Sequence, residues 1–140
     1  MEILRRETDY ALRALHVLDR RATRTDTLEL AKDCKVPLPA LRKIMQTLAK
    51  AGVVKTVRGK RGGYLLALPT RKISLARIVE IVQGPVYMNV CNRKGQPCTF
   101  SGKCPMKGPV CILQNRLNAF FEKTTLAEIY KQPNKGKGKS

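Results

Sequence analysis

Residues 38–69 read LPALRKIMQTLAKAGVVKTVRGKRGGYLLALP. The first half has helical spacing. Leu41, Ile44, Met45 and Leu48 recur at intervals of three and four, which gathers them on one face. Ala40, Arg42, Lys43, Gln46, Thr47 and Lys50 fall on the opposite, open face. Pro39 suits a first turn, and Gly52 suits the position just past a helix end. The predicted helix therefore runs from about Pro39 to Ala51. The second half changes period. VVKTV is β-branched and strand-like, RGKRGG is a turn, and GYLLALP is a second strand closed by proline. A basic helix followed by a hairpin with a cationic tip is the pattern of a winged helix.

Upstream, Asp26 and Glu29 stand in the relation of an acidic capping box before TLELAKDC, a short helix. Pro37 keeps the stretch from Lys35 to Leu38 out of regular helix. Two helices around a tight turn, the second with a basic open face, read as a helix-turn-helix. Farther upstream, Ala11, Leu12, Leu15 and Leu18 share a helical face, with Thr8 as the expected cap and Arg20 near the end. His16, the single histidine, and Cys34 read as packing or surface residues.

Downstream, Ser74 is the predicted cap of a fourth helix, with Ile73 and Ile78 as a hydrophobic staple and Gly84-Pro85 as its end. A glycine- and proline-rich cysteine segment follows. Pro109 is expected to open a long helix with Val110, Leu113, Leu117, Phe120 and Phe121 along one stripe. No remaining segment is obvious enough to cover that stripe fully, so it reads as a contact between two copies of the chain, with packing against the first helix as the alternative. TTLAEIYKQ forms a last short helix. The expected fold is mainly α with a small β-hairpin. Its parts are a winged helix-turn-helix over 1–84, a cysteine-rich loop over 85–108, a dimerisation and closing helix over 109–131, and a low-complexity basic tail over 132–140.

The charge supports a polyanion partner. The 140 residues carry a net charge of +18. Residues 1–33 balance seven acidic against seven basic side chains, whereas residues 34–79 hold eleven Lys/Arg and no Asp/Glu. An ordinary solvated surface mixes both signs, so nucleic acid comes before an anionic membrane as the partner. In the third helix Arg42, Lys43 and Gln46 are placed for base edges or phosphates. In the turn Arg58, Lys60 and Arg61 suit a narrow minor groove, which attracts such cations. Lys35, Lys50 and Lys55 suit phosphates. No run of about 18 apolar residues spans a membrane. The N-terminus MEILRRETDY lacks a signal-peptide pattern, so a cytoplasmic location is expected. No nucleophile–base pair or paired carboxylates stand out, which argues against an enzyme and against a small-molecule substrate.

Four of the five cysteines lie in CNRKGQPCTFSGKCPMKGPVC, residues 91–111, with gaps of six, five and six residues. Zinc knuckles pair cysteines more closely. Wide gaps suit an iron–sulfur cluster, whose ligated sulfurs lie farther apart. Spacing alone also admits zinc or a cluster-free thiol/disulfide switch. Lys94, Lys103 and Lys107 partly offset an anionic cluster.

The order TDYALRAL, then LPALRKIMQTLAKAGVVKTVRGKRGGYLLALP, then ISLARIVEIVQG, then clustered cysteines and TLAEIY resembles the Rrf2 family of bacterial winged-helix transcription regulators. The resemblance runs to Lys131. It implies a homodimer on a palindromic operator in double-stranded DNA, joined through the long helix, with Arg58 in the minor groove. Some members carry a glutamate where this chain has Arg42, which separates its operator preference from theirs. The resemblance also implies a 4Fe-4S or 2Fe-2S cluster held by Cys91, Cys98 and Cys104, although the first gap is one residue longer than usual. The fourth ligand is then either Cys111, an extra thiol in the first turn of the long helix, or Asp9 of the partner subunit. The implied activity is transcription regulation, most simply repression, governed by redox state, nitric oxide or iron supply.

Overall fold

Aliphatic side chains from five helices and a small sheet make one core. The computed structural model describes residues 2–59, 62–89, 91, 93, 95, 100 and 102–132. Helix α1 spans Arg6–Arg21 and buries Ala11, Ala14, Leu15 and Leu18. It begins two residues before the expected cap. Thr8 lies fully buried inside the first turn, because its hydroxyl donates to Gln83 Oε1, 75 positions away, at 2.6 Å. A long-range partner thus takes the group that sequence reading assigned to capping. His16 packs against the ring of Tyr130, with centroids 4.6 Å apart, which agrees with a packing role.

Helix α2 (Thr27–Cys34) is capped by Asp26, whose carboxylate accepts from the amides of Leu28 and Glu29. Cys34 is buried, and burial pushes its thiol pKa up, so it is a core residue rather than a reactive one. Lys35 takes a left-handed conformation and turns the chain into α3 (Leu38–Lys50). The buried face of α3 is Leu41, Ile44, Met45 and Leu48, as the periodicity predicts.

The hairpin consists of β2 (Val54–Val57) and β3 (Gly63–Leu66), paired from Val54–Leu66 to Val57–Gly63. A third strand joins it. The two-residue β1 (Thr25–Asp26) pairs antiparallel with β3, which gives the order β1-β3-β2. A Cβ on Gly63 would sit 2.2 Å from the Thr25 carbonyl oxygen. Gly63, which the sequence places where the turn RGKRGG meets the strand GYLLALP, lets a second strand approach. The turn itself depends on Gly59, at φ +136°, whose carbonyl accepts from the Gly62 amide at 3.0 Å.

Helix α4 (Leu75–Val82) starts at the Ser74 cap, with Ile73 and Ile78 both fully buried as the staple requires. Helix α5 (Lys107–Lys123) starts two residues before Pro109. Proline is tolerated there because the first four amides of a helix have no intrahelical acceptor. The early start puts Cys111 in the second turn rather than the first. Helix α6 (Leu126–Lys131) is capped by Thr125, and Leu126 enters the main core. Tyr130 donates to the Leu12 carbonyl at 2.7 Å. No helix among the described residues is long and apolar enough to cross a membrane.

Candidate nucleic-acid interface and cysteine segment

The core fixes which side of α3 faces out. With Leu41, Ile44, Met45 and Leu48 inside, Arg42, Lys43 and Gln46 must project into solvent, and all three are exposed. Arg77 donates to the Ala51 carbonyl at 3.1 Å, which ties the end of α3 to α4. Lys35, Lys50 and Lys55 are also exposed. Arg58 is exposed where the hairpin turn begins. Lys60 and Arg61 lie outside the described residues. A protruding cationic α3 beside a cationic turn can place a helix in a major groove and an arginine in the neighbouring minor groove.

The cysteine segment hangs between α4 and α5. Cys91 and Cys111 are exposed, Cys104 is half-buried, and Cys98 lies outside the described residues. Asp9 is on the exposed side of α1 and accepts from Arg13 at 2.6 Å. Among the described residues no three His, Cys, Asp or Glu side chains come close enough to hold one metal ion. Among the described residues the structure therefore gathers Asp9 with no pair of cysteines into a metal-holding group.

A residue that the sequence reading passed over organises this region. Gln114 is the single buried residue of α5, at 8% exposure. Its Nε2 donates to the Val86 carbonyl at 2.8 Å and to Asn118 Oδ1 at 2.9 Å, and its Oε1 accepts from the Met88 amide at 2.7 Å. The strand of chain that enters the cysteine segment is thereby stitched to α5. One polar amide among Leu113, Leu117 and Phe121 was the available signal. At its other end α5 is fastened to α4: Thr124 accepts from the Leu75 amide at 2.8 Å, and the Leu126 amide donates to Ile73 at 2.9 Å. Phe120, between these anchors, and Ile112 and Leu113, just before the first, stay exposed, at 62%, 55% and 46%. The rest of the predicted stripe, Val110, Leu117 and Phe121, is half-buried.

A family model described as an iron-dependent transcriptional regulator, Rrf2, matches residues 4–132. The chain belongs to the Rrf2 family. An HTH-type transcriptional regulator NsrR of Oceanobacillus iheyensis is 30% identical over 134 residues, covering 91% of this chain and 89% of that one. Two solved structures share the fold of this Rrf2 protein. CymR, the global cysteine regulator of Bacillus subtilis, superposes with a TM-score of 0.74 at 20% identity over 93% of this chain and 97% of its own. The IscR of T. potens superposes with a TM-score of 0.70 at 22% identity, over 91% and 85%. Membership makes this a winged-helix transcription regulator.

The donor set of the cysteine segment fits an iron–sulfur cluster. Its described thiols reach the surface on one short stretch of chain, thiolates are the soft ligands such iron prefers, and residues 91–111 contain no carboxylate.

Proposed function

We propose that this Rrf2 protein is a homodimeric, operator-binding regulator, most simply a repressor. Its affinity for a palindromic site is set by an iron–sulfur cluster on the cysteine segment. The observation that carries this reading is the position of the segment. It is stitched to α5 by Gln114 at the end where the cysteines lie, beside the uncovered Ile112, Leu113 and Phe120. Cys91, Cys98 and Cys104 would hold the group, with Cys111 or Asp9 of the partner subunit as the fourth ligand. When bound, a 4Fe-4S or 2Fe-2S cluster supplies iron that oxidants or nitric oxide can attack.

The chain's own residues do the rest. Ligated cysteines order the segment that Gln114 joins to α5, and α5 presents its apolar stripe to a second copy. That contact sets the spacing of the two α3 helices, and operator binding follows the spacing by a shift of population. Arg42, Lys43 and Gln46 address the major groove, while Arg58, Lys60 and Arg61 address the minor groove. Asp9 meets Arg13 through Oδ2, which leaves Oδ1 as the oxygen that could serve as a ligand across the dimer.

The test is anaerobic isolation with iron and sulfide analysis, for the natural protein and for Cys111→Ala and Asp9→Ala. A brown protein that loses iron in one variant alone supports the cluster and identifies the fourth ligand. Equal operator affinity of cluster-loaded and cluster-free protein would sink the coupling. A second reading keeps the same scaffold as a thiol/disulfide switch. The surface positions of Cys91 and Cys111 favour it, and a colourless protein whose operator affinity changes reversibly with oxidation would establish it.

A further inference from the structure

A groove of about 650 Å³ lies between the start of α1, the flank of α3 and the end of α4. Its α3 wall is Ala40, Lys43 and Thr47, which belong to the open face of that helix. Its opposite wall carries Arg5 and Arg6. These two arginines are exposed, and neither holds an ion pair among the described residues. Glu7 is the one carboxylate on the rim, against the three cations Arg5, Arg6 and Lys43.

The backbone beneath the arginines is fixed. Gln83, at the end of α4, accepts from the Arg5 amide at 2.9 Å and donates to the Ile3 carbonyl at 2.9 Å. It also accepts from the buried Thr8 hydroxyl. A side chain projecting from an anchored backbone loses less freedom on contact than one on a loose terminus.

We infer that this groove is a phosphate track, in which Arg5 and Arg6 grip the DNA backbone beside the strand that α3 reads. The first helix of the helix-turn-helix, α2, passes over the sugar–phosphate backbone when α3 enters the major groove, and the start of α1 lines a groove along the flank of that same α3. A backbone crossing the flank of α3 meets Lys43 on one side and the two arginines on the other. Contacts from Arg5 and Arg6 to phosphate carry no sequence information, so their contribution is uniform over sequence. The inference rests on α3 and Arg58 being the DNA-binding face, and it adds an N-terminal arm to that footprint.

Salt dependence tests it, with a random-sequence DNA duplex as the probe. The slope of log affinity against log salt should fall by about 0.9 for each of Arg5→Ala and Arg6→Ala, and by about twice that for the pair. The natural slope should return in Arg5→Lys and Arg6→Lys. Both arginines are exposed, and Arg5→Ala keeps the amide that Gln83 accepts from, so folding is preserved. Arg58→Ala serves as the reference for a contact on the proposed face. If Arg58→Ala lowers the slope while the arm variants keep it, the arm is off the DNA and the inference fails alone. If the natural protein binds no duplex at all, the DNA-face assignment fails and takes the inference with it.

Discussion

Replacing Gln114 with leucine should loosen the entrance to the cysteine segment without unfolding the protein. Leucine keeps the volume and the helix propensity. It removes the partners of the Val86 carbonyl and the Met88 amide, now held at 2.8 and 2.7 Å. Each such bond contributes about 1 kcal/mol net, so the two together are worth about 2 kcal/mol. The contact to Asn118 lies one helical turn away and adds a few tenths. Native-state hydrogen exchange reads the loss directly. An opening made easier by about 2 kcal/mol is about thirtyfold more populated, so the Met88 amide should exchange about thirty times faster. Amides in α3 should keep their rates. Asn118→Ala serves as the control, since it removes only the intrahelical contact. Unchanged exchange at Met88 in Gln114→Leu would refute the stitch as the source of order there. The same variant should narrow the difference in operator affinity between cluster-loaded and cluster-free protein.

Gly63→Ala should cost about 1–3 kcal/mol, because the new Cβ meets backbone rather than a yielding side chain. The melting temperature should fall by about 5–10 °C, and Gly108→Ala, with open space around it, should show no fall. Equal melting of the two variants contradicts the close approach. Tyr130→Phe should lose about 1 kcal/mol near neutral pH through its bond to Leu12. Burial raises the Tyr130 pKa above its ordinary value. The neutral phenol is therefore favoured in the fold, and its stabilisation is complete below about pH 10, where the unfolded phenol titrates. It is lost as pH rises further, so urea midpoints of the natural protein should drop above about pH 10 more than those of Tyr130→Phe. Parallel drops would remove Tyr130 as the cause. Arg42→Ala should weaken operator binding by about 1–3 kcal/mol and leave random-duplex binding nearly unchanged if the guanidinium reads a base edge. Equal losses on both duplexes would make it a phosphate contact.

Local signals made much of this fold readable. Asp26, Ser74 and the staple of Ile73 and Ile78 act over three to five residues, and the face of α3 follows from its own periodicity. The misreadings share a different cause, which is long-range partnership. Thr8 looks like a cap until Gln83 reaches it across 75 positions. Thr25 and Asp26 make too short a strand to show a period of two. The role of Gly63 depends on a carbonyl nearly forty residues upstream. At the candidate site, Arg42, Lys43, Gln46 and Arg58 announced themselves through an acid-free stretch. Arg5 and Arg6 did not, because the carboxylates of residues 1–33 cancel their charge in any local count. Only the fold sets them beside Lys43, away from most of those acids. The four clustered cysteines were legible as a group, but their assignment to ligand positions was not, since gap lengths do not fix sulfur positions.

The contact of Gly63 with Thr25 has a mechanical consequence. β1 leads directly into α2, so the strand that leans on the hairpin is continuous with the helix-turn-helix. The hairpin arm is thus pinned at its base to α2 through β1, and to α3 through the Val53 amide, which donates to the Leu48 carbonyl at 3.0 Å. In the proposed dimer, a signal that leaves this unit intact would change how far apart, and at what tilt, the two copies are held. Half-site spacing would then be the quantity under control. Operators lengthened or shortened by a base pair should respond to the signal with opposite sign, while an isolated half-site should not respond at all.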